Sequence, residues 1–157
     1  MALTLKDPDL LRTQAYLAGT WAGAASGATR SVSNPATGEK LGTVPNMGAA
    51  ETRSAIEAAA AALPTWAKKT AQERALILRR WYDLMLANQD DLARIMTAEQ
   101  GKPLAEARSE IAYAAAFIEW FGEEGKRLYG DVIPGHQADK RILVLRQPIG
   151  VVAAITP

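Results

Sequence analysis

The stretch Pro148-Ile149-Gly150-Val151-Val152-Ala153-Ala154-Ile155-Thr156-Pro157 decides the fold class. From Ile149 to Ile155 it holds no charged residue, and its large side chains are Ile149, Val151, Val152 and Ile155. Such a run reads as a strand covered on both faces, as in a parallel sheet. A parallel strand feeds a loop and a crossover helix, and open α/β sheets bind ligands at the carboxyl ends of their strands. Residues 149–155 are therefore expected to be a strand of an α/β sheet, with Ile155, Thr156 and Pro157 at its ligand-binding end. Three ordinary residues of this kind suit many loops.

Just upstream, Arg141-Ile142-Leu143-Val144-Leu145-Arg146 holds an apolar block between two arginines, which suits an edge or interface strand. Pro148 and Gly150 divide the two strands, and Gly135-His136-Gln137-Ala138-Asp139-Lys140 is a polar loop before them. Further back the period is helical. One helix is expected from about Pro103 to Leu128 on Leu104, Ala107, Ile111, Ala114, Ala115, Ile118 and Phe121, stopped by Tyr129-Gly130. Gly101-Lys102-Pro103 punctuates the preceding helix, 90–100, whose Asp90 and Asp91 suit its positive N-terminal end. Thr70-Ala71-Gln72-Glu73 fits a capping box. Behind it, Leu76, Ile77, Arg80, Trp81, Leu84 and Met85 predict one apolar stripe, ended by Asn88. Residues 49–62 predict a helix with the face Ile56, Ala59, Ala60 and Leu63, and Pro64 just beyond it. Residues 14–46 read as β-hairpins, turned at Ala18-Gly19 and at Asn34-Pro35-Ala36-Thr37-Gly38.

Composition bounds the chemistry. The chain has 157 residues, enough for one domain, and no Cys, which removes disulfides, thiolate metal sites and a cysteine nucleophile. With a single His, no His-pair metal site exists, and triad-type catalysis has only His136 to work with. Lys and Arg number 18 against 17 Asp and Glu, so nothing in the net charge of +1 argues for nucleic acid. The N-terminus has no basic segment before a long apolar run, and no stretch approaches the ~20 apolar residues of a membrane span. The expectation is a cytoplasmic, helix-rich chain.

Few candidate sites stand out. Glu99, Glu106 and Glu110 could mimic a carboxylate site, but Arg108 lies nearby and a solvated helix face looks the same. Lys68-Lys69 and Arg79-Arg80 are basic pairs without interleaved aromatics and read as surface charge. No phosphate-binding glycine pattern occurs: Gly122-Glu123-Glu124-Gly125 lies late in a helix, and its two acids would repel a phosphate.

Three segments together carry a family resemblance: Asn34-Pro35-Ala36-Thr37-Gly38-Glu39, Glu99-Gln100-Gly101-Lys102-Pro103 and the Pro148–Pro157 stretch. In this order and spacing they resemble the NAD(P)-dependent aldehyde dehydrogenase superfamily. Ala115-Ala116-Phe117-Ile118-Glu119-Trp120-Phe121 and Tyr129-Gly130-Asp131-Val132-Ile133-Pro134-Gly135-His136 look most like its bacterial succinate-semialdehyde branch, with the glutarate-semialdehyde branch as the alternative.

The resemblance covers about Gln14 to the last residue. It implies that the chain is a single incomplete domain, roughly the first third of a family member. Residues 14–46 would form hairpins and 48–130 helices. Lys140 to Gln147 would be the strand of a homo-oligomer interface, and 149–155 the first strand of an incomplete Rossmann-like cofactor-binding sheet. Ile155, Thr156 and Pro157 match positions that line NAD or NADP, and Glu110 matches an acidic position near a monovalent-cation site in some members. The family's nucleophilic Cys, general-base Glu and oxyanion-binding Asn have no counterpart here, so these residues alone are expected to lack catalysis. A non-catalytic module that joins a full-length homologue is the rival expectation. Without covering elements, the four large residues of 149–155 forgo about 6–12 kcal/mol of burial, comparable with a whole domain's ~5–15 kcal/mol. A self-associating, exposed edge is expected.

Overall fold

The computed structural model describes residues 3–156. Two hairpins come first. Strands β1 (Ala15–Leu17) and β2 (Thr20–Ala22) pair antiparallel, Tyr16 opposite Trp21. Their rings meet edge-on with centroids 5.1 Å apart. Ala18 and Gly19 both take positive φ, 50° and 87°, which a two-residue turn needs to match the strand twist. Strands β3 (Thr29–Ser33) and β4 (Lys40–Pro45) form the second pair, with a bulge at Val32/Ser33. Asn34 closes its turn by accepting from the Ala36 N–H at 2.9 Å, and Gly38 supplies a φ of 73°.

Four helices follow. Helix α1 (Ala49–Ala67) starts where the Glu51 carboxylate accepts the N–H groups of Gly48 and Ala25, at 3.0 and 3.1 Å. It runs through Pro64, where the sequence predicts an end. The missing Pro64 N–H leaves only the exposed Ala60 carbonyl to water, and the Lys68 N–H bonds to the Pro64 carbonyl, so one more turn closes. Helix α2 (Ala71–Ala87) has the expected capping box: Thr70 Oγ1 accepts the Glu73 N–H, and Glu73 accepts the Thr70 N–H at 2.7 Å. Asn88 ends α2 and begins α3 (Gln89–Gln100), which Gly101 closes in the left-handed region at φ 82°. Helix α4 (Leu104–Glu124) begins after Pro103 and ends in a 3-10 turn, Gly125–Arg127.

Small residues make the core. Ala93 and Ala107 are fully buried with Ile111 beside them, and Met85, Leu92, Met96 and Leu104 pack around the three. Gly122 of α4 sits against α2: a Cβ there would lie 3.4 Å from Leu78 Cβ and 3.8 Å from the Ala75 carbonyl oxygen. That close approach decides which face α2 buries. Ala75 is buried and Leu78, Tyr82 and Met85 are half-buried, whereas Leu76, Ile77, Trp81 and Leu84 of the predicted stripe are exposed. Helix α1 has no buried residue, so its predicted face of Ile56, Ala59, Ala60 and Leu63 packs into no core. The N-terminal arm is tied down by Asp91, a buried carboxylate that accepts the Asp7 N–H at 2.9 Å.

The third strand pair joins β5 (Asp131–Pro134) to β6 (Arg141–Val144), antiparallel. Strand β5 has no signal of its own in the sequence, because it exists through its pairing with β6. The three strand pairs are separate, and none of the described residues forms a parallel sheet. Residues 149–155, expected as a strand, carry no strand ladder. The physical reason is that a strand needs a partner row of N–H and C=O groups, and no described strand lies beside it.

Candidate cofactor-binding segment

Residues 148–156 approach the helices only at their base. Pro148 and Gly150, with Arg146, line an open groove of about 670 Å³ whose other wall includes Trp66, Arg74 and Lys126. Arg74 donates to the Lys69 carbonyl, and Lys126 holds Glu123 at 3.0 Å, so two of the three cations are engaged within the chain. Beyond Gly150, whose φ is 130°, the segment leaves the surface: Ile155 is 99% exposed and Thr156 is exposed. Pro157 lies outside the described residues. Ile155 and Thr156 thus offer a methyl surface and a hydroxyl with no facing wall. The described residues alone enclose no dinucleotide and build no phosphate cradle.

The other candidates are accounted for by ion pairs or exposure. Glu110 holds Lys102 Nζ at 2.8 Å, and no group of acids or imidazoles among the described residues could hold a metal ion. Glu99 lines a small cleft beside β4, Glu106 is exposed on α4, and His136 is exposed at the rim of the loop between β5 and β6. Arg79 bridges Asp83 at 3.1 Å and Glu119 at 3.2 Å. Asp90 pairs with Arg108 Nε at 2.7 Å, and that guanidinium holds its carboxyl below the usual range.

Two motifs far apart in sequence do meet. The Asn34–Gly38 turn lies on the end of α3, where a Cβ on Gly101 would come within 2.9 Å of Pro35 Cγ. Gly101 therefore answers two demands at once, a left-handed helix end and the close seat of Pro35. The contact locks the second hairpin to the helices.

Solved aldehyde dehydrogenases share this arrangement, the second hairpin seated on the helices and an uncharged segment after them. The chain matches the aldehyde dehydrogenase family over residues 21–157 and belongs to that family. It is 69% identical over 155 residues to a glutarate-semialdehyde dehydrogenase of Pseudomonas aeruginosa, covering 99% of this chain and 32% of that protein. It is 64% identical, with the same coverage, to an NADP(+) succinate-semialdehyde dehydrogenase of Escherichia coli. The crystal structure of a succinate-semialdehyde dehydrogenase from Burkholderia pseudomallei superimposes with a TM-score of 0.92 at 66% identity, over 94% of this chain and 30% of that one. The chain spans about a third of the length of the relatives it matches.

Proposed function

We propose that this chain is the N-terminal third of an NAD(P)-dependent semialdehyde dehydrogenase. The substrate class is an aldehyde that carries a carboxylate at its far end. The observation that carries this is identity of 64–69% over nearly the whole chain to succinate- and glutarate-semialdehyde dehydrogenases. Succinate semialdehyde is the first reading. The glutarate homologue is supported by the 69% match, against 64% for the succinate enzyme.

In this reading residues 149–155 become the first strand of the cofactor sheet once neighbouring strands supply a ladder. Ile155, Thr156 and Pro157 then line the nicotinamide cofactor, which accepts hydride when bound. This chain's own Pro148 and Gly150 line the open groove beside the α1–α2 junction, at the base of that loop. Lys140 to Gln147 joins subunits of a homo-oligomer. No helix among the described residues is long and apolar enough to cross a membrane, which fits a cytoplasmic enzyme.

A chimera tests the reading. Residues 1–157 replace the matching third of the Escherichia coli enzyme, and succinate and glutarate semialdehydes are assayed with NADP⁺ and NAD⁺. The expected result is turnover within roughly tenfold of the parent, about 1.4 kcal/mol of barrier, while 1–157 alone reduces no cofactor. A folded chimera without turnover on either aldehyde overturns the proposal.

A further inference from the structure

Asp91 is the one buried charged side chain among the described residues, 4% exposed, and its partner is the N-terminal arm. The arm doubles back on itself along α3. Leu3 and Thr4 lie by Thr97 and Asn34, Asp7 gives its N–H to Asp91 at 2.9 Å, and Leu11 to Thr13 return beside Glu99 and β4. Asp91 and Glu99 stand about 12 Å apart along the helix, so the arm is a loop laid down α3 with its tip at Asp91. Asp7 itself turns the tip: its Oδ1 accepts the Asp9 N–H at 3.0 Å and its carbonyl accepts the Leu10 N–H at 3.2 Å. Both legs reach the hairpins. The first borders Asn34, at the start of the turn whose Pro35 rests on Gly101. On the second, Thr13 Cγ2 lies 3.8 Å from where a Cβ on Gly42 would stand, and Arg12 Cζ lies 5.1 Å from the centre of the Trp21 ring.

Little else holds this loop. None of residues 3–13 is buried, and only Leu3, Leu5, Leu10 and Leu11 are half-buried. A segment with so few buried apolar contacts opens locally, well below the cost of global unfolding. Opening strands no charge in the interior, because Asp91 then stands at the first turn of α3, where the helix dipole favours a carboxylate. We propose that residues 3–13 are a strap that opens and closes as one unit, latched by Asp91, and that its closure sets the seat of the second hairpin on α3. Asp91 is thus a positioning residue, acting on the Asn34–Gly38 turn through the arm and not by touching it.

Hydrogen exchange read by peptide mass spectrometry tests the strap in the chimera, with the arm, the 34–38 turn and α4 followed separately. Asp91→Ala is expected to speed exchange roughly tenfold or more at the arm's bonded N–H groups, those of Asp7, Leu10 and Leu11. The N–H groups of Ala36 and Gly38 should quicken with them, and α4 should not change. Asp90→Ala is the control: it removes the neighbouring first-turn carboxylate and its bond to Arg108 but leaves the latch, so the arm should exchange as in the parent. Asp91→Asn keeps an acceptor oxygen without the charge and should fall between Asp91→Ala and the parent. Deleting residues 1–8 should reproduce the effect of Asp91→Ala at 34–38. Unchanged arm exchange in Asp91→Ala overturns the proposal, and so does a released arm with the 34–38 turn still protected. A uniform rise that includes α4, or an equal effect from Asp90→Ala, also overturns it, since either is a general loss of stability. Where Asp91→Ala yields no folded protein, Asp91→Asn and the deletion decide by the same criteria.

Discussion

Asp91 shows how much one side chain does in a chain with so little core. It accepts the backbone N–H of Asp7, and the N–H groups of Asp7 and then Lys6 hold its carboxyl below the usual 3.8. Glu51, Glu73, Asp90 and Glu123 are likewise lowered, Glu51 first by its own backbone N–H, Glu73 by that of Thr70, Asp90 by Arg108 and Glu123 by Lys126. A carboxylate whose folded pKa lies below its unfolded one contributes fully above the ordinary value, and the contribution is lost as pH falls through the folded value. We therefore expect helical content to hold from neutral pH down to the ordinary carboxylate values of 4.5 and 3.8 and to fall below them, followed by circular dichroism. Thr70→Ala removes the acceptor for the Glu73 N–H and should cost about 1 kcal/mol of α2 stability, read as a lower urea midpoint. Position 70 was legible in the sequence because a capping box is local: donor and acceptor lie three residues apart. Asp91 was legible only as a helix-end charge, since its partner is 84 residues away.

At the scale of elements, the helix ends followed from the sequence and the helix faces did not. Gly101, Thr70 and Asn88 act within one turn of chain, so their type announces their role. Helix α2 instead has apolar residues on both sides, Ala75, Leu78, Tyr82 and Met85 on one and Ile77, Trp81 and Leu84 on the other. Periodicity weighs size and selects the bulky side; packing against Gly122 selects the small one. The same logic hid β5, whose four residues are all exposed and contain Pro134. The segment 149–155 reads as a strand from its uncharged apolar run, yet it carries no ladder among the described residues, because a ladder is a property of two segments. Gly122 gives the element-scale test. Gly122→Leu drives a branched side chain into Leu78 and Ala75 and should destabilise the α2–α4 pair by about 1–3 kcal/mol. Gly122→Ala should lie within about 1 kcal/mol of the parent, its helix propensity gain set against one contact at 3.4 Å.

The whole molecule is a scaffold with its apolar side turned outward. Its buried apolar residues are Ala75, Ala93, Ala98, Ala107, Ile111 and Ala115, and no large side chain among the described residues is fully enclosed. A core of alanines removes little surface from water, at ~25 cal/mol per Å², whereas ordering each residue costs ~1–2 kcal/mol of backbone entropy. Local capping and ion pairs hold individual helices but couple them weakly, and surface pairs such as Arg79–Asp83 add at most about 1 kcal/mol each. Residues 1–157 alone should therefore melt broadly and bind a dye for exposed apolar surface, with association growing as protein concentration rises. The chimera should melt cooperatively and bind far less dye, because the exposed Trp81, Phe121, Ile149 and Val152 gain cover. Calorimetry and dye fluorescence on the two proteins side by side decide the matter. A sharp, concentration-independent transition in 1–157 without dye binding would show that these residues form a self-sufficient domain.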